Sequence, residues 1–462
     1  MLPGMKRLIA AAALVLVGVT VAYGYTLTRR ERLYRQLVIR GDYALVRADS
    51  FAAVAAFSDA IALKPDSMLG YLKRGEAYHR RGELDAAARD LERASVLDPA
   101  ATRALELRGD VDAARQQPGR AAEHYAAYAR LDDRSPRVLY KLGLSRHRLG
   151  QYAEAADALT KAVTLDSRSP EAHYLLGVSL RALNRPRDAQ HALERAVALA
   201  PTLVSAREQL ADVYAAAGSR AARTEQMEAL FALDKRAPRH VALALSYAQG
   251  GETTRAVRML RNASELYPDD AETYLALGRI WLDIARASGD HIARSKAIEA
   301  LHHAAALAPS SAAFALLGEA RLDAADAPLA ERTLRQAAEK LPADTATFLQ
   351  LADAAERAGH TQAARRALLD YHSLTAPGDP RRTEAARRIA ELSMRLGESR
   401  VAVTWYQRAT EDARPSSALL LRLAEAQLQA GDTAGARKTV ERITDREPAH
   451  AAARAFESKL RD

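Results

Sequence analysis

The chain has 462 residues, enough for about three domains unless a repeat overrides that prior, and its 48% hydrophobic content, with only six Phe and two Trp, is Ala-dominated helix composition rather than the composition of sheets. It has no cysteine, which excludes disulfides, thiolate metal sites, a cysteine nucleophile and a lipidated cysteine. The net charge of +9 is uneven: residues 1–40 carry seven cations against Glu31 alone, and the other 422 residues keep only +3. That is too little for the sustained basic field a phosphate backbone requires, so no nucleic-acid partner is expected.

In chain order, residues 1–7 form a short basic tail ending in Lys6 and Arg7, followed by LIAAAALVLVGVTVAYGYTLT at 8–28, which has no charge. As a helix this stretch would span roughly 31 Å, the thickness of a bilayer core. Tyr23 and Tyr25 stand at its end, where aromatic rings and Arg side chains meet headgroups. The reading is a single transmembrane anchor in a cell membrane, against a cleaved secretory signal ending near Ala22-Tyr23-Gly24. A basic juxtamembrane segment follows at 29–33. Five Arg between Arg29 and Arg40 oppose Lys6, Arg7 and the amino terminus, which favours a cytoplasmic body, whereas short basic N-tails more often stay inside, which favours the opposite.

From residue 34 the chain repeats. With Met68 as position 1, GYLKRGEAYHRRGELDAAARDLERASVLDP places Tyr71 at 4, Arg74 at 7, Gly75 at 8, Tyr78 at 11, Gly82 at 15, Ala87 at 20, Leu91 at 24, Ala94 at 27 and Pro99 at 32. The pattern returns from Pro170 with Leu176, Gly177, Ala189, Leu193, Ala196 and Pro201 in those slots. About twelve units follow this phase, starting at Tyr34, Met68, Thr102, Pro136, Pro170, Val204, Ala237, Ala271, Ser311, Thr345, Thr383 and Ser417; we number them repeats 1 to 12. The third, from Thr102, is degenerate but keeps Gly109, Ala121 and Tyr125. The eighth contains about seven extra residues near 285–296, after which Ala297, Leu301, Ala304 and Pro309 restore the register. The last units close on Pro342, Ala376, Arg414 and Pro448, and residues 449–462 suit a solvating cap helix.

Helix geometry explains the pattern. Positions 4, 7, 8 and 11 share one face of a first helix, and 20, 24 and 27 share one face of a second. Small residues at 8, 20 and 27 allow close approach, the large residue at 24 fills the space between, Gly or Asn near 15 permits the turn, and Pro at 32 ends the second helix. The expected fold is therefore all-α: an α-solenoid of about twelve stacked helix-turn-helix units over 34–448, with an N-terminal transmembrane helix.

Period and slots resemble the tetratricopeptide repeat (TPR) family. The resemblance implies that positions 2, 5, 9, 12 and 13 of each first helix line a concave groove. In this chain these are Leu69, Leu72, Glu76, His79 and Arg80; Arg137, Tyr140, Leu144, His147 and Arg148; then Glu171, Tyr174, Val178, Arg181 and Ala182. The expected partner-binding set is Glu76, His79, Arg80, Arg137, Tyr140, His147, Arg148, Tyr174 and Arg181, a basic and aromatic wall in which Tyr supplies apolar area with a polar handle. Later repeats contribute Glu272, Asp283, Glu319, Asp323, Asp353, Glu356, Glu384, Glu391 and Glu425, an acidic far wall, with ion pairing between neighbours as the alternative. The family's carboxylate clamp, Lys at 5 and Asn at 9, occurs in no unit, which disfavours an adaptor for chaperone tails.

His291, His302 and His303 have no ligand spacing of a known zinc motif, and no phosphate loop, G-x-S-x-G elbow or H-E-x-x-H run is present. No metal, cofactor or catalytic residue is expected, and the repeats leave no room for a catalytic domain. The sequence therefore points to a membrane-anchored scaffold that binds protein partners, in an envelope complex. The alternative is a component of polysaccharide or lipopolysaccharide biosynthesis that holds a synthase or contacts glycan. The AYGYTLTRR junction resembles that of membrane-tethered members of this repeat family in lipopolysaccharide assembly, whose C-terminal cysteine metal module this chain lacks.

Overall fold

A computed structural model describes residues 3–340, 342–411 and 415–460; Arg414, the expected closing residue of repeat 11, lies outside them. Among the described residues there are 25 α-helices and no strand, so the all-α expectation holds. The chain divides into two compact units, residues 1–219 and 220–462. The first contains the helix Pro3–Val46, its partner Ser50–Leu63, four further helix pairs and the helix Val204–Ala216. The second opens on Arg220–Leu233, continues through six pairs and ends with Ala451–Lys459. The division at Ser219 falls inside repeat 6, whose slots at 20 and 24 hold Arg223 and Met227 where repeats 2 and 5 have Ala and Leu.

The packing rule behind each pair is visible at position 8. A Cβ built on Gly75 would lie 2.8 Å from Leu91, on Gly177 2.6 Å from Leu193, and on Gly278 2.5 Å from Leu301. Each glycine thus faces the large residue at position 24 of its own repeat. Leu301 pairs with Gly278 despite the extra residues of repeat 8. These residues form no loop, because they lengthen its two helices to Ala271–Ser288 and His291–Leu307, of 18 and 17 residues. The helices start where sequence supplies an acceptor: Ser67, Ser135, Ser169, Asp270, Ser310, Asp344 and Ser416 each cap the backbone N–H of a first-turn residue.

The turn between the two helices of a repeat is equally regular. The positive-φ residues among those described are Ala48, Gly82, Gln116, Gly150, Asn184, Gly218, Gly251, Gly289, Ala325, Gly359, Gly397 and Gly431, one in every repeat. Ala48, Gln116 and Ala325 adopt φ of 58°, 62° and 62° with a Cβ, which costs about 1–2 kcal/mol in the left-handed region. Part of that is offset because Gly loses more entropy on folding. Ala48→Gly, Gln116→Gly and Ala325→Gly are each expected to stabilise the fold by about 0.5–1 kcal/mol, read as a higher urea midpoint in circular dichroism, while Gly150→Ala lowers it by a similar amount.

The helix Pro3–Val46 runs unbroken through the basic segment 29–33 into the first helix of repeat 1. Among the described residues no helix is long and apolar enough to cross a membrane. The side chains of residues 1–13 and Val15 lie outside the described set, so the basic tail and the first part of the expected span 8–28 lie outside it too.

Candidate functional site

The groove positions of the first unit are far from uniform. In repeat 2, Glu76 is nearly buried and accepts from Arg80 at 3.0 Å and Arg103 at 3.5 Å. Arg80 also donates to the carbonyl of Leu45 at 3.1 Å. The half-buried side chain of His79 makes no hydrogen bond among the described residues. Arg137 is committed to Glu106 at 2.8 Å, and Arg181 pairs with Asp212 at 3.2 Å. His147 bonds through Nδ1 to the Ser179 hydroxyl at 3.0 Å and lies edge-on to Tyr152; burial holds its pKa below the ordinary imidazole value.

Repeat 3, the degenerate one, supplies residues that the sequence reading missed. Glu106 and Asp110 occupy its positions 5 and 9. Glu106 is 1% exposed and accepts from Arg103, Arg137 and Lys141, each at 2.8 Å. Lys141 also bonds to Asp110 at 2.7 Å, and the Tyr125 hydroxyl donates to Asp110 at 2.7 Å. The signal was present: two acids four residues apart in one helix, with Arg137 and Lys141 one repeat later. The basic wall expected from sequence is therefore largely engaged in pairs within the protein.

Beyond this cluster lies a patch that internal pairs leave open. Tyr140 and Leu144 pack half-buried against the core cluster that contains Leu159, Leu175, Leu176 and Leu180, while Tyr174 packs against the cluster of Leu193, Leu210 and Val213. Burial raises the pKa of the Tyr140 hydroxyl, Glu171 adds to the rise and Arg148 opposes it, so both charges act on that phenol. Arg148 is exposed and makes no ion pair among the described residues.

In the second unit, the acidic wall is mostly neutralised. Arg286 pairs with Glu319 at 2.7 Å and Asp323 at 2.6 Å, and Arg388 with Asp353 and Glu356 at 2.6 Å each. Arg387 holds Glu384 and Glu391, and Arg422 holds Glu425 at 3.0 Å. Arg286 stands in the extension of Ala271–Ser288, so the extra residues of repeat 8 supply the cation. Glu272 and Asp283 make no ion pair among the described residues.

The same unit contains a concave pocket of about 370 Å³ in which groove positions of four successive first helices converge. Val241 and Leu245 come from repeat 7, Leu275 from repeat 8, and Ala312, Ala315 and Leu316 from repeat 9; Ala346 of repeat 10 completes the lining. The small side chains of Ala312 and Ala315 open it, and Glu272, Arg279, Glu319 and Asp344 provide its charges. Among the described residues no group of three or more His, Asp or Glu is placed to hold a metal. His303 instead lies edge-on to Tyr274 at 4.3 Å.

Sequence comparison agrees with this geometry. A family model described as "Tetratricopeptide repeat" matches residues 40–104, 174–222 and 349–418, and two others of the same description match 237–280 and 401–460, together more than half of the chain. The chain belongs to the tetratricopeptide repeat family. A model for subunit 3 of the anaphase-promoting complex, cyclosome, matches residues 115–196 of this TPR protein. No curated protein matches the sequence. Among solved structures, the TPR chain is similar to MamA from Desulfovibrio magneticus RS-1, at 20% identity over 38% of this chain and 97% of that one, TM-score 0.35. It is also similar to YrrB, described as a TPR protein with an unusual peptide-binding site, at 21% identity, 42% and 100% coverage and TM-score 0.39. A third is PilF of Pseudomonas aeruginosa, at 21% identity, 45% and 94% coverage and TM-score 0.36.

Proposed function

We propose that this TPR protein is a membrane-anchored, non-catalytic scaffold that holds protein partners in the groove of its first helices, in an envelope complex. The observation that carries the binding role is the convergence of groove positions from four consecutive repeats on one pocket with apolar and charged walls, with Ala312 and Ala315 in its lining. The patch of Tyr140, Leu144, Tyr174 and Arg148 offers the same chemistry in the first unit: apolar area, phenol hydroxyls and an unpaired cation. The anchor is supported by Leu14, Leu16, Val17, Val19 and Val21, which are 58–73% exposed and point to several sides of one helix, uncovered by the rest of the protein.

Full-length chain captured from membranes tests the groove. Ala315→Trp, which fills the pocket, and the triple change Tyr140→Ala, Arg148→Ala, Tyr174→Ala are each expected to cut recovery of co-purifying protein at least about tenfold with helical circular dichroism unchanged. Arg137→Ala, whose side chain is engaged by Glu106, is expected to leave recovery within about twofold. Undiminished capture by both groove variants would sink the assignment. Binding of envelope polysaccharide by the chain after protein partners are stripped would favour the glycan reading instead. A compartment-specific reporter fused after Asp462 decides which side of the membrane the repeats occupy.

A further inference from the structure

The helix Pro3–Val46 leaves its apolar run at Thr28, so at 1.5 Å per residue Arg30 to Arg35 lie roughly 3–10 Å beyond it along the axis. For a helix anchored as proposed above, that is the headgroup layer of a bilayer. The turn between repeats 1 and 2 is held at the same depth. Lys64 pairs with Glu31 and stands 4.8 Å over the Tyr34 ring, and the Tyr34 hydroxyl and Ser67 Oγ are 2.5 Å apart. Between helix and turn lies a cleft of about 890 Å³.

Four cations line this cleft, Arg30, Arg32, Arg35 and Lys64, against two acids, Glu31 and Asp66. Arg35, at 2.9 Å, and Lys64 both engage Glu31. Arg30 and Arg32 are exposed and make no ion pair among the described residues, so the excess positive charge is concentrated in two guanidiniums. Leu27, Leu63 and Pro65 give the cleft apolar walls. A planar guanidinium fork matches phosphate oxygens, and apolar walls beside it match the glycerol and upper acyl chain of a lipid, where a free anion would leave them wet.

We propose that this cleft seats the headgroup of an anionic phospholipid, drawn by the unpaired guanidiniums of Arg30 and Arg32 on either flank of Glu31, and so fixes the first repeat against the membrane surface. The inference rests on the anchor reading, and one set of vesicles separates the two. Because the chain has no cysteine, Ala62→Cys gives a single site for a fluorophore next to the turn. Full-length labelled protein is reconstituted in phosphatidylcholine vesicles carrying spin-labelled phosphatidylglycerol or spin-labelled phosphatidylcholine as quencher. Phosphatidylglycerol should half-quench at a mole fraction at least about tenfold lower than phosphatidylcholine, and Arg30→Gln with Arg32→Gln should abolish that preference. Millimolar glycerol 3-phosphate in the buffer should leave the quenching intact; relief by it would mean a soluble-anion site and overturn the lipid assignment. Alkaline carbonate extraction reads the anchor alone. Retained protein with no preference, or with a preference that survives the double substitution, overturns the headgroup site and leaves the anchor standing. Released protein overturns both.

Discussion

Gly143→Ala should cost about 2–3 kcal/mol, and Gly143→Val more, although each adds only one or three carbons to a helix interior where Ala is normally favoured. The Cβ would lie 2.5 Å from Cγ of Leu159, which is fully buried. Leu159 has nowhere to retreat, because Ala155, Leu175 and Leu176 occupy the space around it. The helices Pro136–Arg148 and Tyr152–Leu165 must therefore separate, losing contacts along both. Leu159→Ala alone leaves a cavity and costs about 3 kcal/mol, but in the double variant the new methyl group occupies part of it, so the combined loss should fall short of the sum by about 1–2 kcal/mol. Urea unfolding measures the totals. Hydrogen exchange should localise the loss to residues 136–165, since neighbours dominate the stability of stacked repeats. Gly119 is the control: a Cβ there meets nothing within 4 Å, so Gly119→Ala should stabilise by up to about 1 kcal/mol. If Gly143→Ala behaved like Gly119→Ala, the close approach at position 8 would not be what sets the distance between the paired helices.

Contacts within one repeat were legible because they recur. Position 8 facing 24 leaves the same mark at Gly75, Gly177 and Gly318, and the register of Leu301 survived seven inserted residues because packing, not spacing, selects it. Arg74 shows where periodicity misleads. It stands in slot 7, which other repeats fill with Leu142, Leu176 or Leu243, yet it bonds bidentately to Asp90, at 2.6 and 2.9 Å, an acid 7% exposed on the second helix. Contacts between repeats were less legible still. Glu106 meets residues 31 and 35 positions later, and Arg388 meets acids 32 and 35 positions earlier, so each pairing depends on which side chain happens to face its neighbour once the first helices stack. A slot unconstrained by the repeat rule is thus not yet a free surface. Tyr140, Tyr174 and Arg148 keep that status, whereas Arg137, Glu76 and Arg181 do not.

The cluster on Glu106 leads to the second large effect, an asymmetry between its acid and its cations. Lys141→Met should cost about 3 kcal/mol, because it removes from a carboxylate 2% exposed the cation that is itself most buried and leaves Asp110 without its ion pair. Arg103 and Arg137 stay, but their side chains are 42% and 63% exposed, so solvent screens what they contribute to Glu106. Glu106→Leu should cost less, about 1 kcal/mol, because every cation it abandons has another destination: Lys141 keeps Asp110, Arg103 keeps Glu76, and Arg137 turns to water. Replacing both Glu106 and Lys141 by apolar residues of similar size should recover most of the Lys141→Met loss, since the deeply buried Glu106 charge is then gone; Asp110, 20% exposed, still lacks its ion pair but keeps the Tyr125 hydroxyl and solvent. Three urea titrations followed by circular dichroism decide the matter. Equal costs for the two single variants would mean that the cations are held as tightly as the acid. In that case the wall between repeats 3 and 4 would be a rigid ionic seam, not a buried carboxylate with mobile counter-ions at its edge.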